Sequence, residues 1–240
     1  MKKTKLISNL ILILVIGGLG GILADRFLFP VLANLSFLRQ TAFIQKLTDR
    51  TTVIKQTEKI IIKEETAVEE AIDRISPSLV GVESLKSGKV VARGTGFIVT
   101  GDGLVITTAQ MIPAASQNYL IFNGERILAE LVKKDSKMNL ALLKVEKSNL
   151  SVVSMKDRNG LRLGEKIVLV GWGEEQKFVN TGIIRSMTSD LITTNLREES
   201  GLANGSPLIN LKGEVIGLNL VNQGTVKAIP VDMIKSFLNL

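Results

Sequence analysis

Residues 6–24 are apolar almost without interruption, broken only by Ser8, Asn9 and a scatter of glycines, with Lys2, Lys3 and Lys5 before them and Asp25-Arg26 after. At about 1.5 Å rise per residue, a helix of that length crosses most of a hydrocarbon core about 30 Å thick. The lysines place the N-terminus in the cytoplasm by the positive-inside rule. The pattern predicts an uncleaved signal anchor over residues 1–26. A cleaved signal peptide is the competing reading, but residues 21–24 lack a clean small-x-small site and apolar residues resume at Phe27.

Residues 27–43 stay apolar around Pro30, and residues 47–65 turn polar with no helical period, which reads as a stalk. Thr66-Ala67-Val68-Glu69 forms a capping box, and Ala67, Val68, Ala71, Ile72 and Ile75 follow on one helical face until Pro77 ends the helix. Residues 27–73 are therefore expected to be a juxtamembrane segment, stalk and helix start.

After Pro77 the period changes. Short β-rich runs occupy residues 79–83, 96–99, 104–107, 119–122, 127–132, 141–145, 167–170 and 215–220, with Asp102-Gly103, Asn123-Gly124 and Lys212-Gly213 between them as hairpin turns. Many short strands at this spacing predict an all-β domain over residues 74–240, a sandwich or a pair of barrels.

Composition narrows the chemistry. An apolar fraction of 45% supports a real core, and the mean hydropathy of +0.27 agrees with a membrane segment. With no cysteine there is no disulfide, thiolate nucleophile or Cys-based zinc site, and with no histidine the commonest general base and metal ligand are both absent. No cofactor or metal is expected. The net charge of +7 comes partly from the N-terminal lysines; elsewhere Lys and Glu are interspersed without an Arg-rich stripe, so no nucleic-acid partner is expected.

Several segments, in order, resemble the HtrA/Deg branch of the trypsin-like serine proteases. Ser76-Pro77-Ser78-Leu79-Val80-Gly81-Val82 is similar to the opening strand. Gly94-Thr95-Gly96-Phe97 leading to Thr107-Thr108-Ala109-Gln110 is similar to the hairpin that ends in Thr-x-Ala-His. Asn139-Leu140-Ala141 matches the Asp-Leu-Ala strand, and Asn204-Gly205-Ser206-Pro207 with Gly213-Glu214-Val215-Ile216-Gly217 matches the nucleophile loop and its following hairpin. Leu163-Gly164-Glu165-Lys166, Thr181-Gly182-Ile183-Ile184 and Ala228-Ile229-Pro230-Val231-Asp232 complete the series. The resemblance covers about residues 74 to 238 and implies two six-stranded antiparallel β-barrels of the chymotrypsin fold with a site in the cleft between them. It also implies a trimer as the oligomeric form; the PDZ module that often follows in this family is not expected here.

In that alignment the family's histidine, aspartate and serine fall on Gln110, Asn139 and Asn204. The oxyanion-loop glycines fall on Leu202 and Ser206. A neutral amide at Gln110 takes no proton near neutral pH, Asn139 offers no charge, and Asn204 has no hydroxyl, so a Ser-His-Asp relay is not available to these side chains. From this the sequence predicts a protein that is not an enzyme: a membrane-tethered binding or scaffolding module outside the cytoplasm whose cleft holds extended peptide or unfolded protein. The alternative is an active serine-type endopeptidase using noncanonical residues. Ser200 and Ser206 are the hydroxyls near the loop, with no lysine at a recognisable dyad spacing. Trp172, in Gly171-Trp172-Gly173, either packs under a loop or lines a ligand cleft.

Overall fold

The computed structural model describes residues 66–173 and 176–239, together with residues 13, 16–18, 20, 21, 23 and 24. Most of the expected anchor over residues 1–26, and the segment over residues 27–65, lie outside the described residues. Among the described residues no helix is long and apolar enough to cross a membrane. Two compact units divide the chain, Met1–Lys63 and Glu64–Leu240.

The second unit begins with a helix, α1, over residues 66–75, which runs into a 3-10 turn at Ser76–Ser78 that carries Pro77 in its first positions. Six strands follow: β1 (Leu79–Lys86), β2 (Lys89–Ile98), β3 (Leu104–Thr108), β4 (Gln117–Phe122), β5 (Glu125–Asp135) and β6 (Leu140–Lys144). They close into an antiparallel barrel in the order β1-β2-β3-β6-β5-β4. The strands β7 (Lys166–Trp172), β8 (Lys177–Met187), β9 (Ile192–Arg197), β10 (Pro207–Asn210), β11 (Val215–Asn222) and β12 (Thr225–Pro230) close a second barrel in the order β10-β11-β12-β9-β8-β7. A helix, α2 (Val231–Leu238), ends the described chain. The all-β, two-barrel architecture is that of chymotrypsin.

Period-2 alternation explains why nearly continuous apolar runs form these strands. In β7, Ile167 and Leu169 point into the second barrel, while Val168, Val170 and Trp172 point into a separate core between the barrels. β6 does the same in the first barrel, with Ala141 and Leu143 inside and Leu140 and Leu142 outside. The inter-barrel core also takes in Ala71 and Ile75 of α1 and Val231, Ile234 and Phe237 of α2. Both helices thereby act as plugs on the seam. Phe97 of β2 is fully buried in this core, a position where truncation to alanine costs about 3–5 kcal/mol.

The turns follow their chemistry. Asn123 and Gly124 both have positive φ, 47° and 87°, as a two-residue hairpin of the primed type requires. Ser87-Gly88 and Gln223-Gly224 adopt the same form, with φ of 51° and 76°, and 48° and 73°. The connection between barrels is laced to both: Val153 N–H donates to Ile98 O at 3.1 Å, and Val215 N–H donates to Ser154 O at 2.8 Å.

Candidate active-site cleft

The first barrel supplies Gln110 and Asn139. Gln110 lies in a 3-10 turn, Ala109–Met111, directly after β3, and its side chain is exposed. Asn139 sits just before β6 in a turn shaped by Asp135, whose Oδ1 accepts the backbone N–H groups of Lys137 at 2.8 Å and Met138 at 2.9 Å. These bonds, that of Met138 first, hold the Asp135 carboxyl below its ordinary pKa. Asn139 has φ of 53°, a left-handed conformation that asparagine tolerates better than most residues. Two bonds then clamp the turns together: Asn139 Oδ1 accepts the Gln110 N–H at 3.2 Å, and Asn139 O accepts the Ala109 N–H at 3.1 Å.

The second barrel supplies the loop with Leu202, Asn204 and Ser206. It forms a 3-10 turn, Gly201–Ala203, capped by Ser200, whose Oγ accepts the Leu202 N–H at 3.2 Å. Asn204 N–H donates to Gly201 O at 3.1 Å. A protease oxyanion hole uses N–H groups at these two places; here both are bonded within the loop. The Asn204 side chain is 6% exposed, donates to Gly201 O at 3.1 Å and accepts the Val221 N–H at 2.9 Å. Ser206 is fully buried, its Oγ donating to Ala203 O at 2.7 Å and accepting from Asn219 Nδ2 at 3.0 Å.

Thr95 joins the two halves, and nothing in the sequence pattern beyond Gly94-Thr95-Gly96 marks it out. Its N–H donates to Asn204 O at 2.9 Å, its Oγ1 donates to Leu202 O at 2.8 Å and accepts the Trp172 backbone N–H at 2.8 Å, and its carbonyl accepts Thr107 Oγ1 at 2.8 Å. The Asn204 loop is thus tied through Thr95 to the strand that leads to Gln110. Gly205, with φ of 82°, leaves room for this approach, because a Cβ there would stand 2.2 Å from Thr95 O. Leu202 is half-buried and borders a cavity of about 180 Å³ in the cleft, opposite Gly81, Gly94 and Trp172. Among the described residues, Thr108 Oγ1 and Asn219 Oδ1 are buried without a hydrogen-bond partner, and no group of three or more His, Cys, Asp or Glu residues is placed to hold a metal ion.

Two closed six-stranded barrels, with a loop of the second docked on β2 and β3 of the first, define a trypsin-like domain. Residues 94–218, just over half the chain, match the trypsin-like peptidase domain family. The chain is 33% identical over 196 residues to serine protease HTRA1A of Danio rerio, covering 71% of this chain and 40% of that protein. It is 34% identical over 137 residues to a probable periplasmic serine endoprotease DegP-like of Halomonas elongata, covering 52% of this chain and 28% of that protein. The crystal structure of the serine endoprotease from Yersinia pestis superposes with a TM-score of 0.66 at 25% identity, covering 72% of this chain and 65% of that one. The chain belongs to the trypsin-like peptidase family, in its HtrA/DegP branch.

This corrects one expectation. Gln110, Asn139 and Asn204 pointed to a protein that is not an enzyme, whereas the family is a peptidase family and the relatives are named serine proteases. The physical reason is that three amide side chains exclude one proton relay, not every hydrolytic route on a scaffold whose barrels, cleft and docked loop are all present.

Proposed function

We propose that this chain holds an extended polypeptide in the cleft between its barrels, outside the cytoplasm and tethered by residues 1–26, and acts on it as a serine-type endopeptidase. The observation that carries the binding half is the outer edge of β2. β2 pairs with β1 along its length but with β3 only at Phe97 and Ile98. Residues 89–92 therefore have no strand partner on that side among the described residues. Val90 and Val91 on this edge are 41% and 49% exposed. An unpaired edge of this kind takes an added strand through main-chain hydrogen bonds.

Peptide hydrolysis enters from the names of the relatives, and the extracytoplasmic setting from the periplasmic ones. The nucleophile must come from outside the three amide positions. Ser200 is the hydroxyl to test: it is half-buried at the head of the loop, and Glu198 on the same turn accepts its backbone N–H at 3.2 Å. Full-length protein incubated with denatured casein should hold it and generate new termini, detected by mass spectrometry, that vanish in Ser200→Ala. Binding without new termini removes the hydrolytic half, and no binding removes both.

A further inference from the structure

Residues 86–91 are exposed without a break, and they carry a pattern that neither the barrel nor the cleft uses. Ser87-Gly88 turns β1 into β2 and leaves Lys86 and Lys89 directly opposite each other across the hairpin. The Cβ atoms of such a pair lie about 4.5–5.5 Å apart, and like charges placed this way destabilise the pairing. Neither ammonium has an ion pair among the described residues. Glu83, the acid on the same strand, has both oxygens engaged, by Arg93 Nε at 2.8 Å and Arg126 Nη2 at 3.0 Å. The tip thus holds two cations side by side, a repulsion that an anionic surface relieves.

The residues after the lysines are apolar. Leu85 pairs with Val90 and Ser84 with Ala92, so Val91 is the extra residue of a bulge. The bulge breaks the alternation of β2, and Val90 and Val91 are exposed together. Lysine stems beside exposed apolar side chains suit a membrane interface, where the ammonium groups reach phosphates and the apolar groups reach the acyl boundary. A nucleic acid fits less well, because residues 86–91 include no aromatic side chain to stack on bases and no arginine. Two lysines against an anionic leaflet shift an equilibrium by about thirtyfold together, too little to hold a free domain on a membrane. With residues 1–26 in the bilayer the same contact becomes intramolecular, and a modest attraction then suffices.

We propose that the tip of the β1–β2 hairpin is a second membrane contact, in which Lys86 and Lys89 bind the phosphates of anionic lipid headgroups while Val90 and Val91 enter the interface. The inference rests on the tethered reading above. It adds to that reading a preference for an anionic leaflet.

The chain has no cysteine, so Ser87→Cys gives a single attachment point at the tip for an environment-sensitive nitrobenzoxadiazole label. Full-length labelled protein is reconstituted into vesicles of phosphatidylcholine alone, or of phosphatidylcholine with one third phosphatidylglycerol. It should float with both, and the emission of the label should move to the blue only in the second. Lys86→Gln combined with Lys89→Gln should float equally and lower the docked-to-free ratio by about thirtyfold. Lys86→Arg combined with Lys89→Arg should keep the blue shift. Identical emission in the two vesicles, or a blue shift that persists in the Gln pair, overturns the tip contact and leaves the tether standing. A blue shift that polyglutamate produces on phosphatidylcholine vesicles, and that phosphatidylglycerol does not, assigns the lysines to an acidic polypeptide and also overturns the contact. Failure to float with either vesicle overturns the tether and the contact together.

Discussion

The side-chain Oδ1 of Asn204 accepts the backbone N–H of Val221 at 2.9 Å, lengthening by one rung the ladder that Gly205 and Ser206 make with Asn219. The opposite end of the same amide donates to Gly201 O at 3.1 Å and closes the 3-10 turn. Asn204 therefore stitches β11 to its own loop, a use for which a hydroxyl is too short.

Asn204→Ala should destabilise the protein by about 1–3 kcal/mol, because it strips partners from Val221 N–H and Gly201 O in a buried place. Urea unfolding measures this directly. Asn204→Ser should lose a similar amount. Wild-type stability in either variant contradicts the stitching role.

At Asn139 the order of variants is the test. Its φ of 53° favours glycine over alanine, while its Oδ1 binds the Gln110 N–H. Asn139→Ala should lose both the bond and the conformational tolerance, about 1–3 kcal/mol together. Asn139→Gly should lose less, and Asn139→Asp, which keeps an acceptor, should lose least. Thermal melts that rank Ala above Gly would contradict this geometry.

Gly81→Ala should displace the indole, since the new Cβ would lie 2.8 Å from Trp172 Cδ1. Overpacking of this kind costs about 1–3 kcal/mol. The emission of Trp172 should change in the folded state, and an unaltered spectrum with unaltered stability would show that the two residues are not in contact.

Asp102 gives a pH prediction with a definite sign. A hydrogen bond from the Lys144 ammonium, at 2.7 Å, and then one from the Thr100 hydroxyl lower its pKa below 3.8. A carboxyl depressed in the folded state stabilises the protein above its unfolded pKa, and that contribution disappears as pH falls through the folded value. Asp102→Asn should therefore be less stable than the wild type at neutral pH, with the gap closing below about pH 3.8. A gap that persists unchanged into acid would contradict the Asp102–Lys144 pairing.

Most of the first barrel was legible from alternation and turn chemistry, because β1, β3 and β6 are buried on both faces and read as apolar runs. β8 was not read as a strand at all. Its residues Asn180, Thr181, Arg185 and Ser186 are polar and mostly outward, and pairing with β7 and β9 on either side holds it in place. The Ser87-Gly88 and Gln223-Gly224 turns were passed over because neither is an Asn-Gly or Asp-Gly pair. For the site, the alignment puts Gln110, Asn139 and Asn204 in one cleft, but motif spacing carries no information on where an amide points. That Asn204 turns toward β11 depends on a bond across 17 residues, and that Thr95 joins the barrels depends on contacts to three separate strands or loops.

The central claim, that the free edge of β2 holds an extended polypeptide, is tested most directly by amide hydrogen exchange on the full-length protein with and without a saturating nonapeptide of Val, Thr and Ala. The account predicts new protection at the outward amides of residues 89–92. Protection confined to the groove around Ala114 and Leu128, or no protection anywhere at saturation, would contradict it.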